Sequence, residues 1–285
     1  MHTNHNPQPR TGHEHASDAD TAMAELLELD AEALHAYLTD LTRLLADLAD
    51  VAPDRILDLG SGTGTGTLAL ARQFPTASVT AMDVSPQLLH RLDERATIHG
   101  VADRVRTLPT DLDQTWPQPE HGQAYDLIWT ASFLHHLNDP DRGLTQAFDA
   151  LRPGGLLAVT EMDFFPRVLP DDAGIGRPGL EARLHAATNT QPPHEWSQHL
   201  QRAGFILDAG RAFEIRVDSS QAGPSLNRYA QLVLTRLRSH AEGALSADDL
   251  AALDTLLDNA QPNGIAHRRD LTVRTTRTTW IARRP

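Results

Sequence analysis

Apolar and polar positions change period several times along the chain, and each change predicts an element. Residues 1–20 hold His, Asn, Pro and Asp with almost no large apolar side chain, the composition of a disordered leader. Between residues 21 and 52, Leu34, Leu38, Leu41, Leu45 and Leu48 recur at spacings of three and four, which places them on one helical face. Asp30 stands inside this stretch as an N-cap, so two helices are predicted there. Pro53 ends the region. Arg55-Ile-Leu-Asp-Leu-Gly60 then reads as a buried strand entering a glycine-rich turn, followed by a helix over about Thr65 to Phe74. Ser78-Val-Thr-Ala-Met-Asp83 is a second strand. Ser85 opens the next helix as N-cap, with Pro86 at a position where its missing N–H does no harm. Leu88, Leu89, Leu92 and Ala96 give that helix an apolar face, and Gly100 stops it.

A third strand runs from Val105 to near Asp111, and a fourth covers Tyr125-Asp-Leu-Ile-Trp-Thr130. A helix over about Pro140 to Leu151 leads through the turn Arg152-Pro-Gly-Gly155 to a fifth strand, Leu156-Leu-Ala-Val-Thr160. Strands alternating with helices predict parallel βαβ units with right-handed crossovers. Such a sheet binds its ligand at the carboxyl ends of its strands, where the strand order reverses. After residue 163 the regularity loosens around Pro166, Pro170, Gly174, Gly176 and Pro178. Helical pattern returns over His194 to Ala203, β pattern over Phe205 to Val217, and helical pattern again over 224–260. Ser246 and Asp249 resemble a capping box before Leu250, Leu253 and Leu257. A β-branched run from Leu271 to Ile281 closes the chain, and no internal repeat is present.

The 285 residues, 40% of them hydrophobic, suffice for one large α/β domain. We divide it into a helical cover (21–52), a core (53–163), and flanking elements at 164–203 and 218–268. No apolar run approaches the roughly 18 residues of a membrane span. The polar N-terminus lacks the apolar centre of a secretory signal, and cysteine is absent, so thiolate chemistry and disulfides are excluded. A cytoplasmic soluble protein is the expectation. Net charge is −13, and all 25 basic residues are arginine. The basic concentration at Arg268, Arg269, Arg274, Arg277, Arg283 and Arg284 falls largely in the last strand, whose alternation sends side chains to both faces. That predicts a solvated sheet surface rather than a phosphate-binding groove, so neither nucleic acid nor membrane is an expected partner. His2, His5, His13 and His15 read as part of a polar tail, and no metal site is expected.

The chemistry concentrates in Asp58-Leu-Gly-Ser-Gly-Thr-Gly-Thr-Gly66. Glycines there let backbone turn tightly and approach a ligand. A nicotinamide fingerprint needs G-x-G-x-x-G, yet the last position falls on Thr65 counted from Gly60 and on Thr67 counted from Gly62. The D-x-G-x-G-x-G pattern, with the acid inside the first strand, resembles motif I of class I S-adenosylmethionine (SAM)-dependent methyltransferases. Asp83 at the end of the second strand, Asp111 after the third, Tyr125-Asp-Leu-Ile-Trp-Thr-Ala-Ser-Phe-Leu-His-His-Leu137 and Leu151-Arg-Pro-Gly-Gly155 agree with that family over residues 53–163.

The resemblance implies a Rossmann-like α/β fold: a seven-stranded, mostly parallel sheet with an antiparallel last strand, N-terminal helices and a helical insertion before that strand. It implies that Gly60, Gly62 and Gly64 hold the methionine portion of SAM. Asp83, with Val84 beside it, is expected at the ribose, Asp111 and Leu112 at the adenine, and Thr130 and Ala131 next to the sulfonium. Asp58 either touches the ligand or orients the loop backbone. Methyl transfer from a sulfonium is an in-line displacement, so positioning carries most of the rate, and a base is needed only where the acceptor loses a proton. His135 is the leading candidate base, then His136; both also read as packing in the loop. Glu161 and Asp163 either anchor the acceptor or are solvated strand ends. His35 and Tyr37 either cover the pocket or, for Tyr37, pack in the core. The resulting expectation is methylation of a small molecule, first at oxygen, with S-adenosylhomocysteine (SAH) as product and no predicted oligomeric state. A non-catalytic SAM-binding regulator or partner subunit is the alternative, and a nicotinamide-dependent oxidoreductase a remoter one.

Overall fold

The alternation of apolar runs and helical patterns becomes five parallel strands: β1 Arg55–Leu59, β2 Ser78–Asp83, β3 Val105–Pro109, β4 Tyr125–Ala131 and β5 Leu151–Met162. β7, Thr272–Arg283, joins antiparallel to β5, and β6, Ile206–Asp218, pairs antiparallel with β7. The sheet order is β3-β2-β1-β4-β5-β7-β6. This computed structural model describes residues 12–33, 35–114, 116, 123–188, 195–219, 224–241 and 243–285, with side chains from residue 21 onward. The helices are α1 Gly12–Ala33, α2 His35–Leu48, α3 Thr65–Gln73, α4 Pro86–Ile98, α5 Pro140–Ala150, α6 Leu180–Thr188, α7 Trp196–Arg202, α8 Pro224–His240 and α9 Ala247–Leu257.

From β1 the chain winds outward to β2 and β3, then returns to place β4 on the other side of β1. The crevice beyond the carboxyl ends of β1 and β4 is therefore the switch point of the fold. Aligned residues of neighbouring strands share a face. Ala81, Trp129, Ala158 and Ile281 point into one core, packed with α2, α3, α4, α6, α8 and α9. Met82, Ile128, Leu157 and Ala282 point into the other, with α5 and α7.

α2 docks by apolar burial: Leu41 and Leu45 are fully buried, worth about 1.5–3 kcal/mol each. α1 is held differently. Of its described side chains only Ala24 is buried, with Leu26, Leu29 and Ala33 half-buried against the core, and its carboxylates reach Arg228 through Glu25, Arg91 through Glu28 and Arg277 through Asp30. The first two pairs are largely solvent-exposed and worth about 0–1 kcal/mol each. The buried Asp30–Arg277 pair fixes the register of α1 against the sheet.

Several sequence expectations need correction. Asp30 is not an N-cap: the helix continues through it to Ala33, and its carboxylate accepts from Arg277 at 2.7 and 2.9 Å and from the Tyr229 hydroxyl at 2.8 Å. Helix α1 already begins at Gly12, inside the stretch assigned to a leader, because no proline lies between Pro9 and Pro53 and alanines recur at 16, 19, 22 and 24. Residues 1–11 and Leu34 of the predicted apolar face lie outside the described residues. Arg152–Gly155 is not a free turn but a bulge within β5, where pairing shifts from Tyr125–Leu151 to Leu127–Leu156. Apart from the exposed Arg269, the C-terminal arginines are not a solvated surface. Arg277 is buried, Arg274 reaches Glu181, Arg283 bridges Asp50 and Asp208, and Arg284 caps the carbonyls of Phe148 and Leu151. Among the described residues, no helix is long and apolar enough to cross a membrane.

Candidate active site

β1 delivers the glycine loop to the crevice. Gly60 and Gly62 take φ of 67° and 53°, a left-handed conformation that glycine adopts without a Cβ penalty. A Cβ on Gly60 would lie 2.2 Å from the Phe133 ring, and one on Gly62 would lie 3.0 Å from Leu27 of α1. The loop is thus clasped between the segment after β4 and the covering helix, and only bare backbone fits. Gly64 is the N-cap of α3. Asp58 points away from the opening. It is 2% exposed and accepts from the hydroxyl of Thr67, at 2.6 Å, and from the backbone N–H of the same residue. Burial pushes its pKa up to about 7. Of the two roles open to it, the geometry supports orientation of the loop and the first turn of α3.

Asp83 ties the loop to β2. Its Oδ2 accepts from the N–H of Gly62 at 2.8 Å and its Oδ1 from the N–H of Ser85 at 2.9 Å. Each carboxylate oxygen keeps a second lone pair for another donor. Val84, next to it, is 68% exposed, an apolar side chain standing open at the strand end. Asp111 is exposed and closes a turn onto the N–H of Asp113, whereas Leu112 is buried. Asp83, Val84, Asp111 and Leu112 therefore line up after the carboxyl ends of β2 and β3.

At the ends of β1 and β4, the hydroxyls of Ser61, Thr130 and Ser132 are buried without a hydrogen-bond partner among the described residues. Unpaired buried hydroxyls cost about 1–3 kcal/mol each, so a polar ligand at this point gains by supplying the partners that the protein does not. Ala131 is half-buried beside them. Ser132 itself has φ of 52°, which breaks the strand and turns the chain into a short 3-10 helix, Leu134–His136.

That turn is held by Glu161 of β5. One carboxylate oxygen accepts from the N–H of Leu134 at 3.0 Å, the other pairs with Nδ1 of His135 at 2.7 Å. Glu161 is buried, with 8% of its side chain exposed, while 33% of the His135 side chain remains open. A carboxylate partner assigns the proton to Nδ1 and leaves the lone pair on Nε2. Glu161 is accordingly not free to anchor an acceptor. His136 stacks 4.1 Å from His135; desolvation and then the His135 charge lower its pKa. Asp163 sits just past the end of β5 with its N–H donating to the Thr276 carbonyl. His35 is exposed and bonded to the Glu32 carbonyl, and Tyr37 packs on Phe213 beneath Arg277, so neither reaches the crevice. Sequence reasoning gave no role to Phe133, Ser61 or Ser132, although all three lie within or next to its motifs. It also missed Leu27 and Arg236 on distant helices, where nothing in the local pattern marks them.

Comparison with known proteins bears on the fold and the family. A family model described as a methyltransferase domain matches residues 57–157. Demethylmenaquinone methyltransferase of Thermus thermophilus is 33% identical over 182 residues, 58% of this chain and 80% of that protein. Malonyl-acyl-carrier-protein O-methyltransferase of Laribacter hongkongensis is 32% identical over 181 residues, 60% of this chain, and the chain spans 57% of its length. For 27-O-demethylrifamycin SV methyltransferase of Amycolatopsis mediterranei the identity is 32% over 170 residues, 58% of this chain, with 60% of its length spanned. Among solved structures, the 4+2 cyclase SpnF aligns with TM-score 0.51 and 24% identity over 87% of this chain and 81% of its own. The YcgJ protein of Bacillus subtilis aligns with TM-score 0.52 and 15% identity, over 85% of this chain and 97% of its own. These two likenesses establish the fold, and a cyclase among them means that the fold alone does not name the reaction.

Proposed function

The chain belongs to the class I SAM-dependent methyltransferases, and on that premise we propose that it methylates a hydroxyl of a small-molecule acceptor, with His135 as general base. The observation that carries the choice of oxygen is the buried Glu161 carboxylate 2.7 Å from Nδ1 of His135. A hydroxyl must lose a proton as it is methylated, and an imidazole whose Nδ1 is held by a carboxylate has its Nε2 free to accept one. The Glu161 carboxyl, on Nδ1, orients the ring and would stabilise the imidazolium that results.

The residues at the crevice fit SAM. The loop at Gly60, Gly62 and Gly64 would take the methionine portion, with the unpaired hydroxyls of Ser61, Thr130 and Ser132 as partners for its amino and carboxylate groups. Asp83 would take the ribose hydroxyls, Asp111 an edge of the adenine, and Val84 and Leu112 its faces. Ala131 would flank the sulfur. SAM, when bound, supplies a methyl group on a sulfonium whose leaving group is a neutral thioether. The protein's own contribution is to orient the acceptor, exclude water beneath α1 and remove the hydroxyl proton.

The first test is isothermal titration with SAM and SAH of the wild type and of Asp83→Ala. Binding that is lost in the variant supports the donor site, and no binding to the wild type sinks the reading. SAH formation is then followed over a panel of phenols, hydroxy acids and amines. His135→Asn and Glu161→Gln should keep SAM affinity while slowing transfer to hydroxyl acceptors by roughly 10²–10⁴-fold. Turnover that survives both changes refutes the base assignment. SAM affinity without turnover on any acceptor favours a non-catalytic role.

A further inference from the structure

At the rim of the same crevice lies a cation with no counter-ion among the described residues. Helix α8 carries three arginines, Arg228, Arg236 and Arg238. Two of them have carboxylate partners: Arg228 pairs with Glu25 at 2.6 Å and Arg238 with Asp254 at 2.9 Å. Nearby on β7, the buried Arg277 takes Asp30. Arg236 breaks the rule. It is half-buried, and its guanidinium meets only the sulfur of Met23, 3.6 Å from Nη1, with no carboxylate in ion-pair range among the described residues. Other half-buried arginines without a carboxylate find oxygen acceptors, Arg95 at the Thr63 carbonyl, Arg104 at the Ala71 and Ala77 carbonyls and Arg284 at the Phe148 carbonyl, whereas Arg236 meets no oxygen acceptor among the described residues.

Its position gives the exception a meaning. Met23 and Leu27 are four residues apart in α1 and share one helical face. Leu27 of that face lies against Gly62, and Met23 lies against Arg236. The same stripe of α1 therefore runs from the glycine loop to Arg236. The Arg236 charge also reaches His136, where it helps to lower the pKa, and His136 stacks on His135. Arg236 thus stands at the rim shared by α1, α8 and the turn bearing the candidate base.

We infer that Arg236 is the anchor for an oxyanion on the acceptor, so that the molecule to be methylated carries a carboxylate or phosphate at some distance from its reacting hydroxyl. This rests on the reading of the crevice as the methyl-transfer site. A guanidinium offers five N–H donors in a planar fork, and a thioether is a weak acceptor for one of them. An oxyanion satisfies two in parallel and would fix the acceptor's orientation toward His135. The competing role is packing, with the aliphatic stem of Arg236 covering Met23; Arg236→Met preserves that stem and removes the charge. A second groove, of about 820 Å³ near the start of α8, makes a weaker anion site because Arg228 and Arg268 on its walls are already paired with Glu25 and Asp270 and the third, Arg269, is exposed to solvent.

The test uses the full chain saturated with SAH and titrated with benzoate, inorganic phosphate and, as neutral control, benzamide. Binding is followed by calorimetry and by the unfolding midpoint. We expect benzoate or phosphate to bind the wild type and to bind Arg236→Met at least about 10-fold more weakly, the loss of a charge-assisted pair, with benzamide equal in both. Which anion binds identifies the group. SAH affinity should be the same in wild type and variant. Anion binding that is equal in the two proteins, or absent from both while SAH still binds, overturns the assignment of Arg236 alone. Failure of the wild type to bind SAH would instead overturn the site reading on which it rests.

Discussion

Replacing Asp58 by asparagine should stabilise this protein at alkaline pH and make little difference at acid pH. The carboxyl is sealed in the core; it receives only the hydroxyl and N–H of Thr67, and Asp83 adds repulsion. Burial dominates and lifts its pKa from 3.8 to about 7. Between those values the folded state keeps a proton that the unfolded chain has released, so stability falls as pH rises through the window and levels off above it. A shift of about three units corresponds to up to about 4 kcal/mol, at roughly 1.4 kcal/mol per unit. The amide of the Asp58→Asn variant would keep a carbonyl acceptor for Thr67 and carry no charge. For a chain of this size about 2 °C accompanies each kcal/mol, so the midpoint gap should open by about 5 °C from about pH 5 to about pH 8. Thermal unfolding of both proteins, without ligand and in parallel buffers across that range, measures the gap while other titrations cancel. A gap that stays constant, or a wild type that gains on the variant as pH rises, would refute the account of Asp58 as a buried, unpaired acid.

Two further outcomes follow from packing and charge. Asp30→Leu strands the buried Arg277 and the Tyr229 hydroxyl, which should cost about 3–5 kcal/mol and lower the midpoint by roughly 6–10 °C. Asp30→Leu/Arg277→Leu should recover much of that loss, and a double variant no better than the single one would count against a charge effect. Gly60→Ala meets both the Phe133 ring at 2.2 Å and a φ of 67°. The left-handed backbone costs about 1–2 kcal/mol and the overlap a further ~1–3 kcal/mol, so SAH affinity and the midpoint should both fall. Unchanged SAH titration curves for Gly60→Ala would show that the loop is not clasped as described.

Much of the frame was legible along the chain because it is written in local rules. β1 to β5 follow apolar runs bounded by helix signals, and Ser85, Pro86 and Ser246 cap the helices they were expected to cap. The seven strands with one antiparallel member came from family resemblance and stand in the fold. Local rules failed where a residue's partner is remote. Asp30 has the chemistry of an N-cap, yet its carboxylate is claimed by Arg277, 247 residues away, because that guanidinium is buried and needs a counter-ion. The Arg152–Gly155 segment has the composition of a turn, but pairing with β4 and the chain end draws it into β5 as a bulge.

The same division runs through the site. Spacing set out the glycine loop with Asp58, and resemblance to the family added the acids at 83 and 111, because backbone that must turn tightly and acids at strand ends leave a mark within a few residues. It could name His135 and Glu161 but not join them, since they lie 26 residues apart and only the sheet brings Glu161 to Nδ1. Nor could it tell Arg236 from its neighbours on α8. A charge on a helix looks the same in sequence whether or not it has a partner, and only the packing of α1 and α8 over the crevice decides that Arg236 meets no carboxylate among the described residues.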